Sequence, residues 1–238
     1  DNLGLSGSDT MFGGDGDDII VASGWLDTNG DGLVGLDDSF SNDGVDGEDM
    51  IWGGAGHDMI IGGGMSDTLG GGDGDDTLEG FDGDDVIFAG KNGNELIKGG
   101  NGDDQVFASN GTDDVSGGEG NDTLFGGADN DTVNGGTGDD QLYGGAGNDI
   151  IIMGAGNDQA FGGTGADSFI FDSNDGHNQI LDFTIGEDTL NFSELGLNFG
   201  DISSTVSGSS VTLNWDVGSA TILIKGEFDT VDDSWFVF

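Results

Sequence analysis

Cysteine and proline are both absent from these 238 residues, and only three side chains are basic. Without cysteine no disulfide can brace the chain outside a cell, so another staple is needed, and metal ions are the usual one. Without basic surface the chain cannot hold a polyanion by counterion release, which excludes nucleic acid and makes anionic membrane faces poor partners. No run of 18 apolar residues offers a membrane span, and no basic-then-apolar stretch at the amino terminus reads as a signal peptide. A start at Asp1 rather than Met reads as a processed product or an excised part of something longer.

Acid and glycine fill the space. Forty-eight side chains are acidic, the formal net charge is −45, and 52 residues are glycine. Cations are the obvious partner for such a surface. Asp outnumbers Glu by 41 to seven, the reverse of a helical protein's preference, because Asp competes with the helix for backbone hydrogen bonds. Asp with Gly spells turns. Leu, Ile, Val and Phe number 59, enough for a thin core and too many for a disordered polyelectrolyte.

Residues 44 to 170 form a nine-residue repeat: GVDGEDMIW, GGAGHDMII, GGGMSDTLG, GGDGDDTLE, GFDGDDVIF and, after an extra residue assigned to Ala89, GKNGNELIK and eight more. Two further copies occupy residues 4 to 21, making sixteen. Position six is always acidic: Asp9, Asp18, Asp49, Asp58, Asp67, Asp76, Asp85, Glu95, Asp104, Asp113, Asp122, Asp131, Asp140, Asp149, Asp158 and Asp167. Position four is Gly in fourteen copies, Met65 and Asp129 being the exceptions, and position eight is always apolar.

Each copy reads as a six-residue glycine turn followed by a three-residue strand with one side chain pointing inward. One copy cannot bury that side chain alone. Two copies facing each other can, so a coil takes about 18 residues and stacked coils give two parallel sheets around a narrow apolar filling. The expected fold is all-β, a right-handed parallel β-roll. Acids 18 residues apart then stack about 4.8 Å from one another in two columns, one carrying Asp49 to Asp158 and the other Asp58 to Asp167. Bare carboxylates at that spacing repel by about 1 kcal/mol per pair even in water. A divalent ion between them removes the repulsion, and an all-oxygen donor set favours calcium over zinc, with its need for Cys or His, and over magnesium. One ion per gap gives on the order of 12 ions.

The pattern G-G-x-G-x-D-x-U-x resembles the RTX (repeats-in-toxin) family of calcium-binding parallel β-rolls. The resemblance implies export by a type I secretion machinery, an unfolded calcium-poor chain inside the cell, and calcium-driven folding outside it or at the cell surface. It does not imply toxicity.

Residues 22–43 interrupt the repeat. Within them Asp27, Asn29, Asp31, the carbonyl of Leu33 and Asp38 are spaced as in an EF-hand loop, with Asp in place of Glu at the twelfth place, so this insertion is similar to a further calcium site. After Ile170 the glycines thin out and residues 171–238 read as a β-rich cap, with strands expected at Ser168 to Asp172, Gln179 to Phe183, Asp188 to Phe192, Ser210 to Trp215, Ala220 to Ile224 and Trp235 to Phe238. The stretches FIFDSNDGHNQILDFTIGEDTLNF and DSWFVF resemble the closing segment of RTX proteins, which implies an export signal there.

Position nine differs between the sheets. On one it is Trp52, Gly70, Phe88, Phe107, Phe125, Tyr143 and Phe161, an outward aromatic row about 30 Å long. Such a row is either a self-stacking brace or a candidate interface for a second copy, for the rest of a larger protein or for a carbohydrate. Catalytic motifs are lacking: there is no H-E-x-x-H, no G-x-S-x-G and no Walker loop, and Gly30-Asp31-Gly32-Leu33-Val34-Gly35 matches a dinucleotide fingerprint in letters only. His57, at the variable fifth position, and His177, in a polar loop, read as plain surface histidines. No enzymatic activity is expected of these residues, although a longer parent could carry one. A structural or adhesive surface protein is the alternative role.

Overall fold

The computed structural model describes residues 10–21, 25–26, 39–40, 47–172, 176–215, 218–225, 231 and 233–238. Two parallel sheets face each other along a stack of coils. Thr10–Asp15, Met50–Ala55, Thr68–Asp73, Val86–Asn92, Gln105–Asn110, Thr123–Ala128, Gln141–Ala146 and Gln159–Thr164 lie side by side in the first sheet. The second runs from Ile19–Val21 through Met59–Gly63, Thr77–Asp82, Leu96–Asn101, Asp114–Glu119, Thr132–Thr137 and Ile150–Ile152 to Ser168–Ile170.

Register follows the repeat: Leu124 pairs with Leu142 and Phe125 with Tyr143 in one sheet, Val115 with Val133 in the other. Every position-eight residue from Ile51 to Phe169 is fully buried, so the filling consists of one apolar side chain per strand with little else. Two such residues per coil cannot by themselves offset the ordering of a glycine-rich chain. The turns must contribute.

Three details depart from expectation. Most strands of the coils run five to seven residues rather than three, because positions one to three after the apolar triplet also pair with the neighbouring coil, as Gly127 does with Gly145 and Ala128 with Ala146. The extra residue is Lys91 rather than Ala89: Ala89 is buried at position one, Gly90 pairs with Gly72, and the register shift falls between that pair and Asp73 with Asn92. Position nine does not always face solvent, since Ile61 is only 3% exposed.

Thr10 pairs with Met50, 40 residues on, whereas the coils above are 18 or 19 residues apart. The intervening excursion therefore leaves the stacking register intact. Trp25–Leu26 and Ser39–Phe40 pair antiparallel within it. Asp9, Asp27, Asn29, Asp31, Leu33 and Asp38 lie outside the described residues.

Both sheets continue into the carboxy-terminal part. His177–Thr184 adds to Gln159–Thr164, and Thr189–Asn191 adds to Ser168–Ile170, each in parallel. Gly218–Lys225, Ser210–Trp215 and Ser203–Ser207 then finish the first sheet, the last two antiparallel, while Phe236–Val237 finishes the second. The filling turns aromatic here. Phe171 stacks on Phe192 at 4.7 Å, and Trp215 packs edge-on against both rings at 5.3 and 5.1 Å. Thus the open end of the roll is closed by rings rather than by one more thin coil.

Candidate metal centres

Each turn places two side chains against its neighbours, and they work in opposite directions. At position six the backbone N–H of one turn donates to the carboxylate of the next: Asp85 to Asp104 Oδ1, Asp104 to Asp122 and Asp122 to Asp140, each at 2.8 Å. The other edge repeats this with Asp113 to Asp131 and Asp131 to Asp149 at 2.9 Å. At position five the N–H instead donates back to the preceding turn, as Asp103 does to Asp84 Oδ1, Asn121 to Asp103 and Asp139 to Asn121, at 2.9, 2.7 and 2.9 Å.

One oxygen of each accepting carboxylate is thereby used. The acids from Asp49 to Asp167 are no more than 4% exposed. The second oxygen, Oδ2, of Asp58, Asp76, Asp85, Asp104, Asp122, Asp131, Asp140 and Asp149 is buried and has no hydrogen-bond partner. Among the described residues no lysine forms an ion pair with these columns; Lys98 lies 3.9 Å from Glu79 on the outer face of the second sheet.

Position-one glycine makes room for that oxygen. A Cβ on Gly71 would collide with Asp76 Oδ2 and with the carbonyl oxygen of Ala89 in the next coil. On Gly99 it would collide with Asp104 Oδ2 and lie 2.7 Å from the Gly117 carbonyl oxygen. A carboxylate oxygen and a carbonyl of the adjacent coil thus converge beside each of these glycines. At positions two and four Gly takes positive φ, 122° at Gly118 and 133° at Gly120, where a Cβ would meet the carbonyl of the coil below.

Burial pushes the carboxyls of Asp85, Asp122, Asp131 and Asp140 from the ordinary 3.8 up to about 7, and that of Asp104 up to about 8, with backbone donors opposing and neighbouring carboxylates adding to the rise. Asp76, Asp158 and Asp167 rise to about 6 for the same leading reason. Glu95 rises to about 9, through burial and then through its side-chain hydrogen bond with Asp113. A buried anion with one oxygen unserved must be neutralised by a proton or a cation. Among the described residues no three acidic or imidazole side chains converge on a point, so a cation here would take single carboxylates together with backbone carbonyls. That hard, all-oxygen donor set suits calcium.

Several contributors escape a reading of the repeat alone. Asn178 and Asp188 continue the two columns: Asp158 N–H donates to Asn178 Oδ1 at 2.9 Å and Asp167 N–H to Asp188 Oδ1 at 3.0 Å. Asp182 accepts from the N–H groups of Gly162 and Gly163, both at 2.9 Å. The signal is in the sequence, since Gly176-His177-Asn178 and Gly186-Glu187-Asp188 keep positions four to six, with Ile180 and Leu190 at position eight.

Both histidines lie at the surface, and each also makes hydrogen bonds there. His57 Nδ1 accepts the Asp75 N–H at 3.0 Å and so stands in for Asp or Asn in the position-five ladder. His177 opens a strand rather than lying in a loop, with Nδ1 2.5 Å from Ser219 Oγ and Nε2 3.1 Å from Thr221 Oγ1.

The aromatic row stacks on itself. Successive rings from Phe88 through Phe107, Phe125 and Tyr143 to Phe161 lie 5.2, 5.0, 4.5 and 4.9 Å apart, within 11° of parallel. Gly70 leaves a gap that Trp52 covers, its ring filling the place where a Cβ on Gly70 would sit. Ring faces are turned to one another, and edges face outward.

Comparison with known families agrees with this geometry. The family model for the RTX calcium-binding nonapeptide repeat (4 copies) matches residues 3–24, 43–69, 61–92, 90–124, 116–151, 125–160 and 154–180. No curated protein matches the chain. Among solved structures, the AlgE6R3 subunit of the Azotobacter vinelandii mannuronan C5-epimerase is 28% identical, with 54% of this chain and 81% of that one covered and a TM-score of 0.38. The extracellular lipase LipA from Serratia marcescens is 19% identical, with 81% of this chain and 45% of that one covered and a TM-score of 0.30. The repeat matches span well over half of the sequence, and the stacked parallel coils with buried acidic columns are what that repeat builds. The chain belongs to the RTX calcium-binding nonapeptide repeat family.

Proposed function

We propose that this chain is the calcium-loaded module of a bacterial protein exported by a type I machinery, folding when calcium meets it outside the cell. The observation that carries the reading is the row of buried carboxylate oxygens with no partner on the protein. Asp49, Asp58, Asp67, Asp76, Asp85, Asp104, Asp122, Asp131, Asp140, Asp149 and Asp167 hold the ions with turn carbonyls, Asp9 and Asp18 extend the columns, and Asp27, Asn29, Asp31, Leu33 and Asp38 hold a further one. Calcium supplies the positive charge that the turns lack. The protein's own groups orient each carboxylate through one N–H bond, exclude water from it and stack the next turn above. Because such turns are ordered only when neutralised, binding free energy becomes folding free energy. A dozen ions would also reduce the net charge to about −20, relieving self-repulsion.

Export as an unfolded chain fits a fold that cannot form without an extracellular ion, and among the described residues no helix is long and apolar enough to cross a membrane. The module serves a longer secreted parent, enzymatic or otherwise. A second reading, a surface or adhesive protein associating through its sheet face, draws on the outward ring edges of Trp52, Phe88, Phe107, Phe125, Tyr143 and Phe161. Since the ring faces stack on one another, a protein contact suits this row better than a sugar laid on a ring face.

The test is a calcium titration of metal-stripped protein, followed by far-UV circular dichroism and by molar mass from light scattering. A cooperative gain of β signal at constant mass supports the folding module, and a mass that doubles with calcium supports association. A stripped protein already fully folded and indifferent to chelator contradicts both readings.

A further inference from the structure

Not every turn has the glycine space described above. Position one carries a side chain at Ala89, Ala108 and Met153, all fully buried. One of these three turns also departs at position six. Ala89 belongs to the turn with Lys91 inserted and Glu95 in place of Asp. Asp113, in the Ala108 turn, receives the N–H of Glu95 at 2.9 Å. Asp158, in the Met153 turn, donates its N–H at 2.9 Å to Asn178, a neutral amide at the end of the column. A methyl at position one occupies the point on which the Oδ2 and the next coil's carbonyl converge in the glycine turns, as they do beside Gly117 and Gly135.

Resting on the calcium reading, we infer that the array is interrupted, and that the turns headed by Ala89, Ala108 and Met153 hold no tightly bound ion. One edge is then an unbroken row beside Gly62, Gly80, Gly99, Gly117 and Gly135, closed at the cap by Met153. The other is two shorter rows, beside Gly53 and Gly71 and beside Gly126, Gly144 and Gly162, separated by two ion-free turns. Asp113 and Asp158 keep buried Oδ2 atoms at position six, so those turns have the carboxylate and lack the space beside it. That makes the defect repairable by one substitution. It also divides the roll into blocks that load separately on one edge and together on the other.

Tightly bound calcium is counted per chain by equilibrium dialysis, alongside native mass spectrometry, for the full chain and for Ala108→Gly and Gly126→Ala. Ala108→Gly is expected to add one ion to the wild-type count, and Gly126→Ala, which copies the defect into an intact turn, to remove at least one. An unchanged count in Ala108→Gly overturns the inference even if Gly126→Ala fails to fold, and leaves the calcium reading standing. No calcium on any variant, wild type included, overturns the calcium reading and the inference with it.

Discussion

The coils from Met50 to Ile170 and the closing segment from His177 to Val237 share two continuous sheets, yet different forces hold them. A coil contributes two apolar side chains and two buried carboxylates, whereas the closing segment contributes Phe183, Phe192, Trp215, Trp235 and Phe236 to one aromatic cluster. The coils stack at backbone contact, so glycine there is a matter of space as well as of φ. Around the cap, glycines such as Gly196 and Gly208 take positive φ with nothing within 4 Å of where a methyl would sit. The cap is dominated by aromatic burial, whereas the coils bury carboxylates that no basic side chain is seen to neutralise among the described residues.

Glycine substitution separates the two regions most widely. In Gly118→Ala the new methyl meets the Gly100 carbonyl oxygen at a φ of 122°, and a loss of about 3 kcal/mol or more is expected by thermal unfolding in calcium. Gly208→Ala, at a φ of 65° in open space, should lose only about 1 kcal/mol. Equal losses would erase the distinction.

Core truncation gives the next contrast. Leu142→Ala should cost about 2–5 kcal/mol and Phe192→Ala about 3–5 kcal/mol in calcium, by urea unfolding. In chelator the Leu142 effect should vanish, because the coils are then unfolded already, while the Phe192 effect persists on the tryptophan fluorescence of the cap.

Protons should partly replace metal in the coils. The folded carboxyls of Asp85, Asp104, Asp122 and Asp140 rise from 3.8 to about 7 or 8, so the metal-free folded state binds more protons than the unfolded chain between about pH 4 and 8. Their contribution is full below about pH 4 and is lost as pH rises through about 7 to 8. Metal-stripped protein should therefore gain β signal in circular dichroism as pH falls from about 8 to about 5, and a flat signal would contradict the buried columns.

The smallest effect concerns strain. Met65 sits at position four with a φ of 72°, where glycine stands in most turns, and Met65→Gly should stabilise the fold by about 1 kcal/mol, read as a higher thermal midpoint.

The stacked coils were legible because Asp, Gly and the apolar residue recur at fixed positions, and a period of nine leaves few alternatives. Most cap strands were legible from alternation, Ser210–Trp215 to the residue, but Ser203–Ser207, exposed throughout, was not. What escaped has physical reasons. Position five looks variable because His57, Ser66, Asn94 and Asp103 differ as side chains, although each offers an acceptor to a neighbouring N–H. The inserted residue could be placed at Lys91 rather than Ala89 only by seeing which of them pairs. Asn178 and Asp188 were hidden because the loops before them lengthen to 20 and 21 residues per coil.

If neutralising the buried columns is what folds the coils, hydrogen exchange of the full chain, resolved by peptide through a calcium titration of stripped protein, shows it most directly. Peptides within residues 47–170 should exchange freely without calcium and become protected together as it is added, while those within 177–225 change less. Protection of the 47–170 peptides in chelator at about pH 8, unaltered by calcium, would mean that the coils fold without neutralisation of their acids.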